Sequence, residues 1–138
     1  MIGDFKPELL APCGDWEAFM AAVENGADAV YMGGRLFNAR QFASNFDEGK
    51  FKEAIHYAHA RDVSVYQTMN TLINDNEMKE ALRALEQSYL AGIDGVIVQD
   101  IGLANLIRKL YPDLPLHAST QMTIYNLEGV RLMEELGF

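Results

Sequence analysis

Two stretches of the chain, AAVENGADAVYMGG and SYLAGIDGVIVQD, share one layout: a helical run, a closing glycine, a short link and an apolar strand. Gly26 and Gly92 stand where the end of a helix calls for a left-handed residue, a conformation that glycine adopts at no steric cost. Gly137, in MEELGF, is a third instance. The apolar segments Leu9–Ala11, Ala29–Met32, Val63–Tyr66, Gly95–Val98 and Leu114–Leu116 are short and greasy on both faces, as buried parallel strands are. Helical periodicity fills the spaces between them. Trp16, Phe19, Met20 and Val23 share a face behind Asp15 as N-cap. Phe51, Ile55 and Ala58 mark a helix over 48–60. Met78, Ala81, Leu82, Leu85 and Tyr89 follow Asn74 and Glu77, which are spaced as a capping box. Leu103, Leu106, Ile107 and Leu110 run up to Pro112, and Val130, Met133 and Leu136 mark the last helix.

Strict alternation of strand and helix predicts a parallel sheet with right-handed crossovers. Two architectures satisfy it. A flavodoxin-like doubly wound sheet of five strands would be complete in 138 residues. A (β/α)₈ TIM-like barrel needs about 250 residues, so the chain would then supply its first five β/α units. Phe138 follows Gly137 where another strand would begin, which favours the partial barrel. With 49% hydrophobic residues the chain can bury a single core, and no linker-like segment divides it. It has no run of about 18 apolar residues, so no membrane span is expected, and its first residues show no basic start and long apolar region, so no secretory signal is expected. Its single cysteine, Cys13, offers no disulfide framework and fits a cytoplasmic location. A net charge of −9 argues against a general nucleic-acid-binding surface, though a local basic spot is compatible with it.

In either architecture the C-terminal strand ends share one rim, and ligands bind at that rim. Polar residues collect there: Cys13 and Asp15; Arg35, Asn38 and Arg40; Gln67, Thr68, Asn70 and Thr71; Gln99 and Asp100; then His117, Ser119, Thr120 and Gln121. Asp15, Asn70 and Asp100 read equally as helix caps or turn formers. Gln67 and Gln99 directly follow buried strand residues, where an amide needs partners. Gly33–Gly34 is not a dinucleotide fingerprint. Arg35 and Arg40 are the basic residues of these segments and could hold a carboxylate or phosphate, or lie in surface ion pairs. His117 could be an acid–base group, a ligand or a core histidine, and no metal-ligand spacing surrounds it. His56 and His59 read as exposed helix residues. Cys13 has no identifiable base beside it.

The segments PELLAPCGDWEAFMAAVENGADAVYMGGRLFNARQFASNF, NTLINDNE, GIDGVIVQDIGL and LPLHASTQMTIYN resemble the N-terminal part of the collagenase-like peptidase family, U32. The resemblance covers essentially the whole chain. It implies a (β/α)-barrel catalytic domain and places residues 1–138 at its N-terminal side. It also implies two activities, peptide hydrolysis and hydroxylation of transfer RNA, ribosomal RNA or quinone rings. Several members hold an iron–sulfur cluster through cysteines further along, so none is expected in this piece. The family's Asn-Ala-Arg segment is intact at Asn38, Ala39 and Arg40, and its His-Ala-Ser-Thr-Gln segment at His117 to Gln121. Cys13 stands where the family commonly has Ala, which weakens a catalytic claim for the thiol.

These readings set the expectations. His117, Gln99 and Gln67 are the catalytic candidates; Arg40, Asn38, Asn70, Ser119 and Gln121 are the substrate-binding ones. The full-length protein is expected to act on RNA bases, with two arginines suited to a small carboxylated co-substrate, or on peptides as the family name states. The alternative is a non-catalytic module that associates through exposed barrel edges.

Overall fold

The computed structural model describes residues 6–39 and 46–138. The elements alternate without exception: β1 (Leu10–Cys13), α1 (Trp16–Glu24), β2 (Ala29–Gly33), α2 (Glu48–His59), β3 (Ser64–Met69), α3 (Asp75–Ala91), β4 (Gly95–Val98), α4 (Ile101–Leu110), β5 (Leu116–Ala118), a short 3₁₀ turn (Thr120–Met122) and α5 (Leu127–Glu135). The five strands pair parallel in the order β1-β2-β3-β4-β5. That order separates the two architectures. A doubly wound sheet reverses direction at a switch point and carries helices on both faces. Here each strand lies beside its predecessor, and right-handed crossovers then put every helix on one face. The arrangement is that of a partial (β/α) barrel.

The core fills the space between the sheet's outer face and the helices. Val30, Met32, Val65, Met69, Val96, Val98 and Leu116 come from the strands; Phe19, Val23, Phe51, Ile55, Leu85, Leu103 and Ile107 come from the helices. Around Phe19 the rings of Trp16, Phe46 and Tyr57 pack with centroids 5.2, 6.2 and 5.9 Å away, in the tilted and edge-on geometries that aromatic quadrupoles favour.

Local chemistry closes each unit. Asp15 accepts from the Ala18 N–H at 2.8 Å, and the Glu77 carboxylate accepts from the Asn74 N–H at 2.9 Å. Gly26, Gly92 and Gly137 have φ of 90°, 97° and 87° at their helix ends. The repeat carries a further device. Asp28 and Asp94 occupy equivalent links, two residues after Gly26 and Gly92. Asp28 accepts from the Leu9 N–H at 2.8 Å and Asp94 from the Val65 N–H at 2.7 Å, so each carboxylate holds the entrance of the neighbouring strand. His59 also reaches Asp94, at 2.8 Å.

Strand ends shift from the apolar segments, and the shifts in β3 and β5 bear on the site. β3 continues to Met69, three residues beyond Tyr66, because β2 and β4 both pair with it and satisfy the backbone of polar Gln67 and Thr68. β5 starts at Leu116 rather than Leu114. Pro115 has no N–H for the ladder; only its carbonyl takes part, accepting from the Val96 N–H at 3.0 Å. Both shifts change which residues face the inside of the curved sheet.

Phe19, fully buried at the centre of the aromatic cluster, should be the costliest core side chain to truncate. Phe19→Ala is expected to lower the unfolding free energy by about 3–5 kcal/mol, measured by urea denaturation.

Candidate functional site

On the inner face of the sheet, side chains from all the strands line a cavity of about 580 Å³. Its contributors include Leu10, Tyr31, Tyr66, Ile97 and His117, together with Cys13, Gly33, Asn38, Ala39, Thr68, Asn70, Ser119 and Gln121. Alternation along β3 sends Tyr66, Thr68 and Asn70 to this face, at every second position. None of the described residues lining the cavity carries a formal charge at neutral pH when His117 is neutral.

The rim side chains hold one another. Asn70 reaches across two segments: its Oδ1 accepts from the Ala39 N–H at 3.0 Å, and its Nδ2 donates to Ser119 Oγ at 3.5 Å. Ser119 caps the 3₁₀ turn by accepting from the Gln121 N–H at 3.2 Å. Gln99 Nε2 donates to the Gln121 carbonyl at 3.4 Å. The chain of contacts thus joins the β2–α2 loop, the end of β3, the end of β4 and the segment after β5. Asn38 is buried and donates to the Gly34 carbonyl. It fits because Gly33 has no side chain: a Cβ there would stand 2.7 Å from Asn38 Cγ and 2.8 Å from Thr68 Oγ1. Beside it, Phe37 is buried with φ of 62°, a left-handed conformation that costs a bulky residue about 1–3 kcal/mol. Such backbone strain concentrates at ligand sites.

His117 sits on β5 itself. Its ring centroid is 4.7 Å from that of Tyr66, and it occupies room left by Gly95, where a Cβ would lie 2.9 Å from Nε2. Removal from water lowers its pKa below the usual 6.5, against a weaker opposing pull from Glu8. Tyr66 in turn donates its hydroxyl to Glu8 at 3.0 Å. Burial, with Asp15 nearby, pushes the Cys13 thiol up to about 11, so it is a protonated thiol at neutral pH rather than a nucleophilic thiolate.

The structure therefore brings together Asn38, Asn70, His117, Ser119 and Gln121, with Gln99 joined through the Gln121 carbonyl. Gln67 departs from the expected convergence. It lies within β3, not after it, so it faces the helices, where its Oε1 is buried without a partner. It borders a separate outer cavity of about 620 Å³ between α2 and α3. Arg40 lies outside the described residues. Arg35 is exposed and stands 3.9 Å from Asp47 across the surface. Asp100 is a cap, accepting from Leu103 N–H at 2.7 Å and Ile73 N–H at 3.3 Å. Sequence reading missed Tyr31 and Tyr66 as site walls and Gly33 and Gly95 as the spaces that admit Asn38 and His117. The period-2 spacing of Tyr66, Thr68 and Asn70 was the available signal.

The sequence pattern of peptidase family U32 matches residues 14–138. The chain belongs to this family. It is 36% identical over 137 residues to the 23S rRNA 5-hydroxycytidine C2501 synthase of Escherichia coli (strain K12), covering 99% of this chain and 20% of that protein. It is 35% identical to tRNA hydroxylation protein P1 of Bacillus subtilis (strain 168), covering 96% of this chain and 31% of that one. The chain therefore spans between a fifth and a third of the length of these curated relatives. Among solved structures, the U32 peptidase Mk0906 superposes with a TM-score of 0.70 at 20% identity, over 93% of this chain and 54% of that one, which supports the barrel-type fold. For the iron–sulfur cluster that the family implies, this U32 segment does not fit: a cluster is held by several cysteine thiolates, and Cys13 is the one cysteine here.

His117 should titrate below 6.5 in a pH series of imidazole NMR shifts. Because its folded pKa is depressed, the unfolded chain takes up the proton first. Stability should hold above 6.5 and fall as the pH drops from there towards the folded value, and His117→Gln should flatten that part of the pH–stability curve.

Proposed function

We propose that this U32 chain forms part of an RNA-base hydroxylation protein, and that its rim cavity receives an uncharged heterocyclic base. The observation that carries the reading is the composition of that cavity. Its described lining is neutral and hydrogen-bonding, with amides, hydroxyls and a histidine whose pKa partial desolvation lowers. A pyrimidine ring presents neutral donors and acceptors on its edge, and such groups match it without the desolvation cost of a buried charge. The two relatives described above carry names for hydroxylation of rRNA and tRNA.

Within this reading, Asn38, Asn70, Ser119 and Gln121 bind and orient the base. His117 is the candidate for moving a proton at the reacting ring, since neutral imidazole can accept one. Arg40, in the loop beside Ala39, is the candidate for an anionic group such as a phosphate or a small carboxylated co-substrate. Peptide hydrolysis has less support. It calls for an activated nucleophile or water, and the Cys13 thiol is protonated and, among the described residues, donates to the Ala11 carbonyl.

Deleting the gene should lower one hydroxylated pyrimidine nucleoside in digests of total RNA analysed by mass spectrometry, and a plasmid copy should restore it. An unchanged nucleoside profile, together with cleavage of gelatin by the purified protein, would favour the peptidase reading instead.

A second reading follows from the sheet edges. Among the described residues β1 and β5 each pair with one neighbour, and the inner-face residue Leu10 stands exposed. Unpaired parallel edges and open apolar faces promote association. Expressed alone, this chain should elute above its monomer mass in size-exclusion chromatography with light scattering. A monomer with a cooperative melt above about 60 °C would remove this reading.

A further inference from the structure

We infer that Asn70 turns the Ser119 hydroxyl into a hydrogen-bond donor directed at a carbonyl oxygen of the ligand in the rim cavity. The argument starts from backbone groups whose roles cannot be exchanged. The Ala39 N–H can only donate, and it lies 3.0 Å from one end of the Asn70 amide. That end must be the oxygen, because a flipped amide would set two donors against each other. The Asn70 NH₂ group therefore faces Ser119 Oγ, at 3.5 Å. The Gln121 backbone N–H, a second obligatory donor, lies 3.2 Å from the same oxygen.

A serine hydroxyl has two acceptor positions and one proton to give. Among the described residues, both hydrogen bonds that Ser119 Oγ makes are bonds it accepts, so its proton is left over. Ser119 is only 4% exposed, and it lines the cavity. A buried hydroxyl proton with no acceptor is costly, and what occupies the cavity is placed to supply one. The described lining is uncharged, and in such surroundings a neutral carbonyl oxygen is the acceptor that costs least to bury. The choice of a pyrimidine carbonyl rests on the proposed function above. Asn70 is then a positioning residue. It sets the direction of the Ser119 O–H and, through Ala39, the place of the loop that carries Asn38.

The test uses the whole chain, with uridine as probe and NMR titration as readout. Asn70→Asp keeps an acceptor for Ala39 but cannot donate; its carboxylate takes the Ser119 proton and withdraws it from the cavity. Ser119→Ala deletes the hydroxyl, and Ser119→Thr retains it. Asn70→Asp and Ser119→Ala should each weaken uridine roughly 2- to 12-fold, the range of one neutral hydrogen bond. The double variant should be no weaker than either single one, and Ser119→Thr should bind near wild type. Losses that multiply in the double variant would overturn the inference. A ligand-free arm decides the amide orientation separately: hydrogen exchange at the Ala39 amide should accelerate in Asn70→Ala and stay slow in Asn70→Asp and Ser119→Ala. Unchanged exchange in Asn70→Ala would overturn the inference even if uridine binds. Should wild type bind no uridine while the exchange arm behaves as stated, the pyrimidine reading of the cavity falls and the orientation of Asn70 stands.

Discussion

The arrangement at the rim depends on the register of β3 between its two neighbours. Gly33 faces Thr68 across one ladder and Gly95 faces Tyr66 across the other. The two glycines leave the gaps that Asn38 and His117 enter. A slip of one residue would turn Gln67 and Met69 into the cavity and bury Tyr66 and Thr68 against the helices. Asp28 and Asp94 oppose such a slip from the other end of the sheet, each fixing a neighbouring strand through its backbone N–H. The register is held by carboxylates at the entrances of the strands and by missing side chains near their exits.

The stabilising burial lies almost entirely on the outer face. Phe19, Ile55, Leu85 and Leu103 close over Val30, Val65, Val96 and Val98, and all of these are fully buried. The inner face has a different economy. Part of its lining is aromatic and aliphatic, Leu10, Tyr31, Tyr66 and Ile97, while its polar groups form a hydrogen-bonded chain from Ala39 through Asn70 and Ser119 to Gln121 and Gln99. This division lets the rim be shaped for a ligand with little effect on the folding core, since the rim groups satisfy one another and not the helices.

Chemically the site is kept neutral. Partial desolvation lowers the His117 pKa and burial raises that of the Cys13 thiol, and both shifts disfavour the charged form for the same reason, the cost of an ion removed from water. A neutral, hydrogen-bonding pocket suits recognition of an uncharged ring better than electrostatic capture of an anion. The net charge of −9 points the same way, since contact with a polyanion would then have to be local.

The repeated glycine-closed unit, read as sequence, already carried the alternation of strands and helices, the caps at Asp15 and Asn74, the left-handed ends at Gly26, Gly92 and Gly137, and the gathering of polar residues on one rim. These are local: they follow from backbone conformation and from a period of 3.6 residues against one of 2. The choice between a doubly wound sheet and a partial barrel was not local, because both use the same unit and differ only in which strand lies beside which. Gln67 shows the same limit at one residue. Its sequence neighbours read as a strand end, but pairing with β2 and β4 extended β3 past it and turned it towards the helices. Ser119 and Asn70 are 49 positions apart, and nothing in either segment announces the other. Only the side-by-side pairing of β3, β4 and β5 brought the amide to the hydroxyl and decided which of the two donates.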